Sequence, residues 1–120
     1  MAMSKAFIRQ FIGGYTEAAL WSGLDDGEDF DGLSPETELE MARECEEFIT
    51  SNEELFNRAV AFGQSAAALG HDLWLTRCGH GAGYWDRGLG ELGDILADKA
   101  SLVGERWLYV GDNKQVYQSK

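Results

Sequence analysis

HDLWLTRCGHGAGYWDRG, residues His71 to Gly88, is the stretch on which the fold turns. His71 to Arg77 alternates bulky apolar and polar residues, the period of a strand with one buried face. Cys78 to Gly83 is a glycine loop, and Ala82 to Arg87 reads as a returning strand. Downstream, the spacing of Leu92, Ile95, Leu96 and Val103 predicts a helix over residues 89–103. WLYV (107–110) and QVYQ (115–118) flank the turn GDNK, which predicts a β-hairpin over residues 106–118.

Upstream the pattern is helical. Phe7, Ile8, Phe11, Ile12, Tyr15 and Ala19 form one apolar stripe from Ser4 to about Ser22. Gly13-Gly14 weakens that helix by ~1 kcal/mol per glycine. Residues 23–34, GLDDGEDFDGLS, read as an acidic surface loop. Ser34-Pro35-Glu36 then starts a helix, with a capping serine, proline at the first position and acids in the first turn. It runs to about Ile49, with Leu39, Ala42, Cys45, Phe48 and Ile49 inward. Ser51-Asn52-Glu53-Glu54 offers a capping box for a further helix. Its buried stripe is Leu55, Ala59, Phe62, Ala66 and Leu69, and Gly70 is its stop.

This order predicts a single α+β domain. N-terminal helices pack on a small antiparallel sheet, and a further helix precedes the C-terminal hairpin. All β-structure is expected within residues 71–118. A length of 120 residues suits one domain, and 44% apolar residues, with four Trp, supply a core that excludes wholesale disorder. No apolar run is long enough for a membrane span, and none follows Lys5 and Arg9 as a secretory signal would require. Cys45 and Cys78 are too few for a disulfide framework and read as free thiols. The expected compartment is the cytoplasm.

Charge is unevenly spread. The net charge is −11, and between Asp25 and Glu54 thirteen acids face one base, Arg43. That stretch carries −12, so the rest of the chain is close to neutral. Glu36, Glu40, Glu44 and Glu47 fall at helical spacings and form one stripe, with only Arg43 nearby. Each like-charge pair on such a stripe costs a few tenths of a kcal/mol. The loop adds Asp25, Asp26, Glu28, Asp29 and Asp31. A solvated face that keeps the protein soluble is one reading. The other is a docking face for a Lys/Arg-rich protein, because a row of anions resembles the phosphates of a nucleic-acid strand. Direct binding to nucleic acid or to an anionic membrane is not expected of this balance. DDGEDFDG lacks the twelve-residue calcium pattern that ends in Glu.

The 71–88 block holds both histidines. His71, Cys78, His80 and Asp86 are possible metal ligands, but their spacing fits no zinc pattern. Cys78 and His80 could meet in a turn as nucleophile and base, with no helix N-terminus expected there to activate the thiol. Gly88-Leu89-Gly90-Glu91-Leu92-Gly93 matches G-x-G-x-x-G, yet Glu91 and Asp94 put negative charge where a phosphate would sit. In the structural reading, Tyr84 and Trp85 pack over the helices, and Arg77, Asp86 and Arg87 lock the turn through an Arg–carboxylate pair. No cofactor is expected.

HDLWLTRCGHGAGYWDRG, LGELGDILADKA and LYVGDNKQVY together resemble a family of small proteins encoded by tailed phages and prophages. FIRQFIGGYTEAALWSG and the acidic loop with its S-P-E-T helix resemble that family's layout. Cys78 departs from the pattern, where Asn is expected. The resemblance implies no named activity. It implies an accessory protein acting in the cytoplasm of an infected bacterium, of a kind often acidic and aimed at a host or defence protein.

The functional expectation is therefore a non-enzymatic inhibitor or modulator. It docks carboxylates of residues 25–54 on a basic, nucleic-acid-handling host or defence protein. One alternative is a small metal- or ligand-binding enzyme using His71, His80 and Asp86. Another is a structural or regulatory phage component.

Overall fold

The computed structural model describes residues 3–25, 27–79 and 83–119, with the side chain of Asp86 outside that description. Helix α1 spans Lys5–Ser22, and Ser4 caps it by accepting from the Phe7 amide. Strand β1 is the short Gly32–Leu33, and α2 follows at once over Pro35–Ser51. Helix α3 covers Glu53–Ala61, α4 Ala66–Arg77 and α5 Glu91–Val103. Strands β2, Trp107–Val110, and β3, Gln115–Ser119, make the C-terminal hairpin. Helices on one face of a small sheet make the chain α+β, as the element order predicts.

Two expectations about the sheet are corrected. The 23–34 segment is not all loop: β1 pairs parallel with β3, Gly32 opposite Gln115 and Leu33 opposite Val116. The sheet is thus mixed, in the order β1-β3-β2, rather than wholly antiparallel. In addition, residues 71–77 are helical and not a strand. Nearly every residue of α4 from Leu69 to Arg77 is buried, so no polar face marks the helical period. The sequence alternation there is coincidental. The supposed returning strand is a single 3-10 turn, Tyr84–Asp86, with Ala82 outside the described residues.

The helix break falls earlier than Gly70. It lies at Phe62–Gly63, where Gly63 has φ +101°, and Ser65 caps α4 by accepting from the Ala68 amide. Phe62 is accordingly 67% exposed, not part of a buried stripe. Gly70 has another task, in the middle of α4. A Cβ there would overlap the Phe11 carbonyl of α1, and one on Gly14 would overlap the Ala67 carbonyl of α4. These two glycines let the helices meet backbone to backbone. Leu39, expected inward, is 73% exposed, and Met41, not among the residues expected inward, is fully buried.

The core joins all five helices. Tyr15 meets Trp74 edge to face at 5.6 Å, and Phe56 meets Phe11 and Phe48 at 5.3 and 5.7 Å. Trp74 also donates its indole N–H to Ser22 Oγ at 2.9 Å. Among the described residues, no helix is long and apolar enough to cross a membrane.

Candidate functional site

The acidic segment is fixed in place by the sheet. The Asp31 amide donates to the Lys114 carbonyl at 2.7 Å, and the Ser34 amide to the Val116 carbonyl at 2.9 Å. Lys114 Nζ reaches Asp29 at 2.9 Å, an exposed pair that also raises the lysine pKa, mainly through that hydrogen bond. Asp25, Glu28, Asp29 and Asp31 are all exposed; Asp26 lies outside the described residues. On α2, Glu36 and Glu47 are exposed and Glu40 half-buried, with exposed Arg43 between them. Among the described residues, none of these three glutamates makes an ion pair within 4.0 Å.

Glu44 leaves the stripe. Its side chain is only 15% exposed and turns toward the sheet. Oε1 accepts from Arg77 Nη1 at 3.4 Å and from Gln118 Nε2 at 3.2 Å, and Oε2 accepts from Arg106 Nη2 at 3.1 Å. The expectation that only Arg43 lies near the stripe is therefore corrected: two arginines from distant parts of the chain neutralise its third member. Arg77, expected to lock the glycine turn, instead ends α4 inside the protein. Its Nε donates to the Gly104 carbonyl at 2.7 Å and its Nη1 to Tyr15 Oη at 2.8 Å. Burial pushes the Tyr15 phenol far above its ordinary range, against the opposing pull of Arg77.

The glycine-aromatic block is held, as expected, by an Arg87–carboxylate pair, but the sequence reading missed the acid, Asp72. Buried Asp72 receives the Arg87 fork, Nε at 2.9 Å to Oδ2 and Nη2 at 2.7 Å to Oδ1. The signal available was an acid inside an otherwise apolar run. Tyr84 is fully buried, donating its hydroxyl to the Leu69 carbonyl at 2.7 Å and its amide to Thr76 Oγ1 at 3.2 Å. Burial, and then the Asp72 charge, drive its pKa well up. Trp85 is 44% exposed and does not pack as a core ring.

Of the side chains on which the enzyme alternative rests, the structure describes that of His71 alone. His71 sits partly exposed on α4, its ring 6.2 Å from that of Trp21. His80 and the Asp86 side chain lie outside the described residues. Among the described residues, no three of His, Cys, Asp and Glu are grouped to hold a metal. Cys45 and Cys78 are buried and unbridged. Burial raises both thiol pKa values, that of Cys45 with help from the Glu44 charge, so neither is an activated nucleophile. An open cleft of about 480 Å³ lies between α2 and α5, bordered by Glu44, Glu47, Lys99 and Arg106. Its charges are of mixed sign.

No family model, curated protein or solved structure matches the chain.

Proposed function

We propose that this chain is a non-enzymatic binding protein that docks its acidic side on a basic, nucleic-acid-handling protein. The carrying observation is that Asp31, Glu36, Glu40 and Glu47 have no ion-pair partner within 4.0 Å among the described residues and stand on backbone that is held in place. A segment that serves only solubility needs no fixed geometry. Here the loop ends in β1, β1 is stitched to β3, and Ser34 caps α2 directly after it. Glu36, Glu40 and Glu47 stand on a rigid helix, and folding alone gains nothing from leaving them unpaired. Anions on a rigid scaffold meet a basic groove without a large ordering cost, which favours fast, salt-sensitive association.

The resemblance of residues 71–117 to small phage proteins favours a partner in an infected bacterium, such as a host or defence protein. The mechanism is electrostatic occlusion of a groove that otherwise holds DNA or RNA. Affinity capture from phage-infected cells, followed by elution with duplex DNA, tests it. A basic protein released by DNA supports the reading. Captured proteins indifferent to both DNA and salt contradict it.

A further inference from the structure

The sheet has a second, outward side. Directly opposed residues on paired strands share a face. Val116 is fully buried and opposes Leu33 and Val110, while Leu108 packs on the core and opposes Gln118. Leu33, Leu108, Val110, Val116 and Gln118 therefore face the helices. The alternate set, Trp107, Tyr109, Gln115 and Tyr117, faces away. Trp107 is 56% and Tyr109 52% exposed. Tyr109 and Tyr117 stack at 5.6 Å with their planes 20° apart, and Asn113 Nδ2 donates to Tyr117 Oη at 2.9 Å, which fixes the ring.

The rim of this aromatic face is anionic. Glu105 precedes Trp107, Asp112 lies in the hairpin turn, and Asp31 adjoins Gly32 on the strand beside Gln115; all three are exposed. Lys114, the cation of that turn, is engaged by Asp29. Trp107 and Tyr109 lie two residues apart on one strand, ~6.5–7 Å by strand geometry. A flat guanidinium stacks on such exposed rings and its N–H groups can reach the rim carboxylates, whereas a hydrated ammonium does not stack.

We propose that Trp107, Tyr109 and Tyr117 form the contact face for an arginine-bearing segment of the partner protein. The partner's basic charge rests on the function proposed above. The choice of arginine over lysine, and the location on the outward sheet, rest on this face. Aromatic anchors with polar surroundings are where binding energy concentrates.

Fluorescein-labelled nona-arginine and nona-lysine peptides, followed by anisotropy at about 150 mM salt, test the proposal on the full chain. The arginine peptide should bind at least about fivefold tighter than the lysine peptide. Trp107→Ala with Tyr109→Ala should weaken arginine-peptide binding by about tenfold or more and remove the preference for arginine. Trp21→Ala, on another exposed tryptophan, should change nothing. Thermal melts check folding, and Trp107→Phe, which keeps an aromatic face, should retain most of the binding if the double variant misfolds. Equal binding of the two peptides, or an unaffected double variant, overturns the proposal. If Glu36, Glu40 and Glu47 changed to Gln weaken binding while the aromatic variants do not, this face is rejected and the acidic docking surface stands. If none of these variants matters, both readings fall. A dimer in sedimentation that Trp107→Ala dissolves gives the face to a second copy of the chain, and also overturns the proposal.

Discussion

Arg77 and Glu44 meet inside the protein, Nη1 to Oε1 at 3.4 Å, with the arginine side chain wholly buried. The contact ties the end of α4 to the middle of α2. Through Arg106 and Gln118 the same carboxylate also holds the linker after α5 and strand β3. Glu44 thus belongs to the scaffold, and its neighbours Glu40 and Glu47 to the surface.

That division predicts opposite stability effects along one helix. Glu44→Ala leaves a buried guanidinium without its counter-charge and should cost about 2–4 kcal/mol. Glu36, Glu40 and Glu47 changed together to Gln should leave the melting temperature unchanged or slightly higher, because like-charge neighbours are relieved. Thermal unfolding followed by circular dichroism compares the two. Equal losses would show that the stripe is one unit.

Adjacent glycines should respond with opposite signs. A Cβ on Gly13 meets nothing within 4 Å, so Gly13→Ala should stabilise α1 by about 0.5–1 kcal/mol. A Cβ on Gly14 overlaps the Ala67 carbonyl, so Gly14→Ala must push α1 from α4 and should cost about 2 kcal/mol or more. Denaturant midpoints measure both, and a harmless Gly14→Ala would contradict the close packing.

Arg87 and Asp72 make a second test. Asp72 is buried and the pair is bidentate, so Arg87→Ala strands its carboxylate, while Arg87→Lys keeps the charge but loses the fork. Expected losses are about 2–3 kcal/mol for Ala and less for Lys. Equal losses for the two would mean that the fork geometry is irrelevant.

Alkaline pH should destabilise the fold. Tyr15, Tyr84 and Cys45 all have folded-state pKa values raised chiefly by burial. The folded state then keeps protons that the unfolded state releases, so stability falls as pH rises above the unfolded values. Those are about 8.5 for the thiol and about 10 for the phenols. Each group contributes up to about 1.4 kcal/mol per pH unit above its own value. Melting temperatures flat from neutrality to about pH 10.5 would contradict the burial.

What the sequence made legible is what it encodes locally. The apolar stripe of Phe7, Phe11 and Tyr15 announces α1, Ser34 announces α2 through capping, and the GDNK turn announces the hairpin. What stayed hidden depends on distant partners. Strand β1 exists only because β3 lies beside it, and two residues leave no periodic trace. Helix α4 is buried on nearly every side, so its pattern has no polar face, and Gly70 reads as a stop when it is a contact. Glu44 shares the spacing of Glu40; distant partners such as Arg77 and Arg106, 33 and 62 residues away, distinguish it. The alternation of Trp107 and Tyr109 is plain in the sequence, but not that their side of the sheet is open.

The most direct test of the central claim is the affinity of the Glu36/Glu40/Glu47→Gln variant for the captured basic partner, beside the unmodified chain, at low and high salt. The unmodified chain should bind more weakly as salt rises, and the variant should lose about tenfold or more at low salt while melting at the same temperature. Equal affinities, with no response to salt, would contradict docking through the acidic face.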